Sequence, residues 1–376
     1  MINRHLTGLI KPHLGDKKAL IVQGARQVGK TTLIKDLLRD REGVLWINGD
    51  VLADQTLWGS NLSPEQLRRL AEGFSFLVFD EAQRINNIGL TTKILIDEGI
   101  PVQPILSGSS SLNLTSSVNE PLTGRKWSFE LYPLNWGELT GHYNLYPVLR
   151  QLDSRLVLGN YPEVVTASRS VERRLEEITS SYLYKDILDY GAIRKPELIA
   201  QLLRALAYQV GAQVSYNELA NMLQVSNETI RRYVQLLEES YVIFRLPPLS
   251  TNPRKEIFTS RKIYFVDNGI RNALIGNLSP LQNRNDRGQL WENFIVSEFM
   301  KRAKHGGHRT TPYFWRSKDG AEVDLVLARD GRYLAYEIKY NPRKSAKFPK
   351  SFLERYQPEV AEVINRDNFY EYLGRG

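Results

Sequence analysis

Three observations predict an α/β fold spread over several domains. They are a glycine-rich loop between an apolar run and a helical pattern, a second apolar run ending in two acids, and alternating apolar and acidic residues near the C-terminus. The loop is Gly24-Ala25-Arg26-Gln27-Val28-Gly29-Lys30-Thr31. Ala19-Leu20-Ile21-Val22 reads as a short buried strand entering it. Thr32-Leu33-Ile34-Lys35-Asp36-Leu37-Leu38 reads as a helix leaving it, its N-terminal dipole facing the loop. Gly24 and Gly29 open backbone conformations closed to other residues, so successive N–H groups along Gln27, Val28, Gly29 and on to Thr32 ring an anion. Lys30 then supplies a point charge to the β- and γ-phosphates, and the Thr31 hydroxyl ligates Mg²⁺. The pattern is that of a phosphate-binding loop, with ATP and Mg²⁺ as the expected cofactors.

The acid run is Phe76-Leu77-Val78-Phe79-Asp80-Glu81, a buried parallel strand whose C-terminal end opens on a site. Asp80 is expected to hold Mg²⁺ through water and Glu81 to polarise the hydrolytic water. Acids in this order predict a P-loop NTPase domain with a parallel sheet and an extra strand between the loop strand and the acid strand, for which Val44-Leu45-Trp46-Ile47-Asn48 is the natural choice. A further strand, Pro104-Ile105-Leu106-Ser107, runs into Gly108-Ser109-Ser110-Ser111 and offers Ser107 and Ser109 as groups that sense the γ-phosphate or place the water. Arg125 is a candidate to neutralise transition-state charge, in its own subunit or in a neighbour.

With 376 residues, the chain is expected to form two or three domains: 1–140 with the loop, 141–275 helical, and 276–376. No run of about 18 apolar residues occurs and the N-terminus mixes charged with apolar residues, so a soluble, cytoplasmic protein without a membrane partner is expected. Absence of cysteine excludes disulfides, thiol catalysis and Cys-ligated zinc, and five scattered histidines form no metal-binding pair. A net charge of +8 favours a polyanionic partner.

In the middle region, Val171 to about Asp189 reads as an amphipathic helix that turns Leu175, Ile178, Tyr182, Leu183 and Ile187 toward a core. Asn217 to Leu223 and Glu228 to Glu238 read as helices joined by Gln224-Val225-Ser226, with Ser226 capping the second and the β-rich Tyr241 to Leu246 following. That is the pattern of a winged helix-turn-helix. If it binds DNA, Asn227, Thr229, Arg231 and Arg232 meet the groove and phosphates.

Toward the C-terminus, Glu322-Val323-Asp324-Leu325-Val326-Leu327 alternates, so Glu322 and Asp324 share one strand face while Val323, Leu325 and Leu327 face a core. Glu337 and Lys339 share a face of a second strand, Tyr333 to Lys339. Carboxylates on neighbouring strands can bind Mg²⁺ or Mn²⁺, with a lysine beside them to activate water, and Glu292 on a preceding helix completes the acidic set. Asp, then Glu-x-Lys about a dozen residues later, is the pattern of a PD-(D/E)XK nuclease-like fold. Two acid-free basic stretches, Lys301 to Arg316 and Arg343 to Lys350 with Lys344, suit a polyanionic backbone.

Several of these motifs stand in an order that resembles a known family. Gly24 to Leu33, Asp80-Glu81-Ala82-Gln83, Ser107-Gly108-Ser109-Ser110, Leu122-Thr123-Gly124-Arg125, Pro133-Leu134, Tyr161-Pro162-Glu163, Tyr184-Lys185-Asp186-Ile187, Trp291-Glu292-Asn293-Phe294 and the Glu322 to Lys339 acids together are similar to the prokaryotic AAA-type ATPases with a C-terminal domain of unknown function, DUF4143. The family usually has Gly-Gly-x-Pro where this chain has Gly159-Asn160-Tyr161-Pro162, and Ile where it has Ala82. The resemblance implies a P-loop ATPase, a winged helix and a nuclease-like C-terminal domain. The leading functional expectation is an oligomeric, DNA-associated ATPase that moves on or remodels duplex or branched DNA. A regulatory nucleotide switch with protein partners and an ATP-gated, metal-dependent nuclease are the alternatives.

Overall fold

The structure, a computed structural model, describes residues 1–109, 122–183, 196–250, 261–305 and 310–374. Ser110, Ser111, the 184–187 motif and the expected helix beyond Leu183, with Ile187, lie outside the described residues, as do the side chains of Tyr182 and Leu183.

Strands β1 (Ala19–Gln23), β2 (Val44–Asn48), β3 (Phe76–Asp80), β4 (Gln103–Gly108) and β5 (Lys126–Glu130) form a parallel sheet in the order β2-β3-β4-β1-β5. A strand does separate the loop strand from the acid strand, but it is β4 and not Val44–Asn48. The reason is packing. β4 is buried at every position, as a strand covered on both faces must be, whereas β2 buries only Ile47 fully and leaves Trp46 exposed at the sheet's edge. One sheet face packs Ile21, Leu77, Phe79 and Leu106 with Trp58, Leu67 and Leu95. The other packs Leu20, Val22, Val78 and Ile105 with Leu33 and Ile34 of the helix Lys30–Leu37. This order brings the C-terminal ends of β1, β3 and β4 side by side.

Tyr132 to Glu138, which holds a proline and a glycine at the end of the expected 1–140 domain, is among the best-packed stretches of the described chain. Leu131, Leu134 and Trp136 are buried in an apolar cluster that runs from Ile2 through the middle region to Leu373. Trp136 opens the helix Trp136–Tyr143, and its ring meets Phe369 at 4.7 Å and Phe294 at 6.2 Å. The backbone N–H of Trp136 donates to Glu298 Oε2 at 2.7 Å, while Glu298 Oε1 accepts from Lys301 Nζ at 2.9 Å. Both partners of that ion pair are buried and lie on the long helix Arg287–His305. Lys301, read as part of a basic surface, is therefore inside the protein.

The middle region carries helices Tyr216–Leu223 and Asn227–Glu239. Ser226 caps the second as expected, its side chain accepting from Thr229 N, and Ile230, Val234 and Leu237 form its buried stripe. An antiparallel pair, β6 (Ile243–Leu246) and β7 (Lys262–Phe265), follows. Val171–Glu177 is α-helical and continues as a π-helical stretch, Ile178–Leu183, with Leu175 and Ile178 buried.

Strands β8 (Thr310–Arg316), β9 (Glu322–Arg329), β10 (Arg332–Ile338) and β11 (Val360–Ile364) form a mixed sheet in the order β11-β10-β9-β8, antiparallel except where β10 meets β11. The strict alternation expected along β9 is broken. Tyr313 pairs with Val326 but Trp315 with Val323, an extra residue in β9 that acts as a β-bulge. Val323 and Val326 consequently pack with Trp315 and Phe352, while Leu325 and Leu327 join Tyr336 and Ile338 in the main core.

The buried Glu298–Lys301 pair gives a test of how the regions are joined. Glu298→Ala removes the ion-pair partner of a buried ammonium and the acceptor of the Trp136 N–H, and should lower unfolding stability by about 3 kcal/mol, read from chemical denaturation. The double variant Glu298→Leu/Lys301→Met, which buries no charge, should recover part of that loss. A Glu298→Ala midpoint equal to that of the wild type would contradict it.

Candidate functional site

The loop after β1 is shaped by backbone that only some residues adopt. Gly29 has φ 95° immediately before the helix Lys30–Leu37, and Gln27 has φ 61°. A Cβ on Gly24 would lie 2.1 Å from the carbonyl oxygen of Leu131, so the chain leaving β5 can cross the loop only at glycine. Val28 is fully buried, Thr32 is exposed, and Lys30 is buried with its ammonium donating to the Gly24 and Ala25 carbonyls at 2.9 Å each.

Asp80 collects the neighbouring elements. Its Oδ2 accepts from Thr31 Oγ1 at 2.8 Å, and its Oδ1 accepts from the Ser107 hydroxyl. Glu81 follows in a left-handed conformation, φ 49°. Its Oε2 accepts from Gln83 Nε2 at 2.6 Å, and the same amide reaches Ser109 Oγ at 3.3 Å. Sequence reasoning assigns Gln83 no role, although its place two residues after Glu81 is the available signal. Among the described residues, Gln27 Oε1 and Gln83 Oε1 are buried acceptors without a hydrogen-bond partner. Such acceptors are satisfied when a ligand or its water supplies donors. The hard oxygens of Thr31 and Asp80 suit Mg²⁺, and Lys30 with the loop N–H groups suits phosphate, so these residues fit a magnesium–nucleotide complex. Bound magnesium would neutralise charge on the phosphates.

Arg125 does not join this site within its own chain. It precedes β5, and its carbonyl accepts from the N–H of Ala19 at the start of β1. The loop begins at the other end of β1, five strand residues and roughly 16 Å away. The Arg125 guanidinium bonds Asp97 Oδ1 at 2.5 Å.

A second polar cluster lies against the C-terminal sheet. Lys339 Nζ donates to Asp324 Oδ2 at 3.0 Å and to Glu337 Oε2 at 2.6 Å, and Ile338 N donates to Asp324 Oδ2 at 2.8 Å. Lys262 of β7 bonds Glu292 Oε1 at 3.1 Å and Glu322 Oε1 at 2.5 Å, and the Tyr264 hydroxyl donates to Glu292 Oε1 at 2.7 Å. Lys339 thus joins Asp324 to Glu337, while Lys262, which the sequence does not announce, joins Glu292 to Glu322, with Tyr264 on Glu292. A single lysine in a strand of the middle region carries no sequence signal for acids 30 or more residues later. Lys262 and Lys339 face these acids, with the Arg316 guanidinium 3.6 Å from Glu322, and among the described residues no three of His, Cys, Asp or Glu are grouped to hold a metal ion. Burial raises the Glu337 pKa to about 7, with the Asp324 charge adding to it. Burial also raises that of Glu292. For Lys262, burial opposes the charge, yet Glu292, Glu322 and Asp324 together raise its pKa.

The expected polyanion contacts divide. Arg231 and Arg232 are exposed on the helix Asn227–Glu239, but Asn227 Oδ1 accepts from Arg231 Nε at 2.7 Å and Thr229 is engaged by its cap, Ser226. Arg316 bonds Gln213 Oε1 at 3.1 Å and lies 3.6 Å from Glu322. Arg302 donates to the Tyr372 carbonyl, and Lys304 pairs with Glu130 at 3.1 Å. Arg343 and Lys344 remain exposed beside Lys347 and Lys350.

Residues 16–140 match the family described as AAA domain. Residues 287–373 match a domain of unknown function, DUF4143, and residues 149–281 another, DUF8612. An AAA-domain match and two matches to domains of unknown function thus follow one another along the chain. It is 27% identical over 332 residues to an uncharacterized protein of Mycobacterium tuberculosis, covering 85% of this chain and 70% of that one. An uncharacterized protein of Methanocaldococcus jannaschii is 24% identical over 369 residues, covering 90% and 78%. Among solved structures, a single-residue variant of Thermotoga maritima RuvB aligns with 64% of this chain and 86% of its own at 17% identity and a TM-score of 0.32. No described helix is long and apolar enough to cross a membrane.

The raised Glu337 pKa has a signed consequence. The folded protein holds the proton more tightly than the unfolded chain, whose value is near 4.5, so this group's penalty on stability grows as pH rises from about 4.5 through about 7. Glu337→Gln mimics the protonated form, so its melting midpoint relative to wild type should rise between pH 5 and pH 8. A difference that stays flat or falls over that range would contradict the assignment.

Proposed function

We propose that this chain hydrolyses ATP at the AAA-domain loop and couples turnover to DNA held by the middle and C-terminal regions. The observation that carries the reading is the junction at Asp80, where a loop-helix hydroxyl and a β4 hydroxyl meet one carboxylate beside Glu81. Lys30 and the loop N–H groups bind phosphate, Thr31 and Asp80 hold Mg²⁺, and Glu81 polarises the attacking water. Ser107 and Ser109 report on the γ-phosphate from the end of β4.

The two short helices with the β6–β7 pair act as a winged helix-turn-helix, with Arg231 and Arg232 toward DNA. Exposed Arg343 and Lys344 extend a basic surface on the C-terminal domain. Subunits assemble so that an arginine, Arg125 among the candidates, completes a neighbour's site. Within the nuclease-like fold proposed for the C-terminal domain, Lys262 and Lys339 against the acids favour binding over cutting.

Glu81→Gln should keep nucleotide binding while turnover falls about 100-fold or more. Lys30→Ala should lose both. Turnover should rise with duplex or four-way-junction DNA more than with single strands, and the stimulation should fade as salt is raised. If no DNA binds or stimulates at moderate salt, and turnover is slow with nucleotide-dependent assembly, the regulatory-switch reading replaces this one.

A further inference from the structure

Arg4 sits immediately before the helix His5–Ile10 and touches three groups distant in sequence. Its Nη1 donates to the Val28 carbonyl at 2.7 Å, its Nη2 to the Tyr132 carbonyl at 2.5 Å, and its Nε to Glu138 Oε1 at 3.1 Å. The side chain is 9% exposed and that of Glu138 is 0%. Glu138 is fixed in turn. Its Oε1 also accepts from His5 N at 2.9 Å, and its Oε2 accepts from Asn135 N at 3.1 Å in the capping box of the helix Trp136–Tyr143.

The position of the Val28 carbonyl gives this contact its meaning. Val28 lies between the left-handed residues Gln27 and Gly29, a costly backbone path that persists only where the surroundings over-determine it. The Val28 carbonyl and the Gly29 N–H belong to one planar trans peptide unit, so they point in opposite directions. Holding the carbonyl outward on Arg4 therefore aims the Gly29 N–H away from Arg4, into the concave side of the loop. A lysine would not do the same. Three acceptors in three directions match the rigid fork of a guanidinium, whereas an ammonium is a single point of charge.

We propose that Arg4 is a positioning residue for nucleotide binding, which pre-orients the Gly29 N–H toward the phosphates from outside the loop. This rests on the reading of the loop as a nucleotide site.

The test compares the full-length wild type with Arg4→Lys and Arg4→Ala by equilibrium titration with mant-ATP, by steady-state ATP turnover and by thermal melting. Both variants should weaken mant-ATP binding about tenfold or more, the scale of one lost charge-assisted hydrogen bond. KM should rise in parallel while kcat stays within about twofold, the signature of lost uniform binding. Arg4→Lys keeps a cation beside Glu138, so it tests the fork even if Arg4→Ala does not fold. A folded Arg4→Lys with wild-type Kd and KM would overturn the proposal. So would a fall in kcat with KM unmoved, which a smaller folded fraction produces. If the wild type itself binds no mant-ATP, the nucleotide-site reading fails, and the proposal fails with it.

Discussion

Asp80 is the constraint on which the site depends. It stands at the end of β3, accepts a hydroxyl from Thr31 at the start of the loop helix and accepts another from Ser107 on β4. Those bonds require the C-terminal ends of β1, β3 and β4 to be level, and the strand order β3-β4-β1 supplies that. The rest of the AAA domain serves the same end. β4 is apolar and buried because it is central, Gly24 lets the β5 exit cross the loop, and the carboxylate of the left-handed Glu81 accepts from Gln83, whose amide also reaches Ser109.

The long helix Arg287–His305 is one of the elements that join the loop-bearing region to the remainder of the chain, beside direct contacts such as Leu134 N to the Asn160 carbonyl and Tyr132 on Tyr241. Arg287–His305 places Glu292 in the C-terminal acid cluster, Glu298 on the N-terminus of the helix Trp136–Tyr143, and His305 against the Glu130 carbonyl beside β5. Trp136, Trp291, Phe294 and Phe369 pack edge to face or tilted around that junction.

Much of this is legible in the sequence because it is local. The loop, the acid strand, the Ser226 cap and the Glu-x-Lys strand each follow from residues a few positions apart, and each forms where expected. What the sequence does not disclose depends on distant partners. β4 rather than β2 lies between β1 and β3, a matter of competition for the sheet's centre. One extra residue in β9 moves Val323 and Leu325 into different clusters, because strand faces alternate with period two. Tyr132 to Trp136 looks like a turn-rich boundary yet is core, since its burial comes from Phe294 and Phe369 more than a hundred residues later. Lys301 reads as basic surface and is paired inside, and Arg125 lies at the end of the sheet away from the loop of its own chain. Lys262 belongs to acids that its own neighbourhood does not announce.

The central claim is that Thr31, Asp80 and the loop form a single magnesium–nucleotide site. Calorimetric titration with a slowly hydrolysed ATP analogue, in magnesium and in a chelator, tests it most directly for the wild type and Asp80→Asn. One nucleotide per chain should bind, more tightly with magnesium, and Asp80→Asn should lose that magnesium gain. Affinity indifferent to magnesium, or an Asp80→Asn protein that retains the full gain, would contradict it.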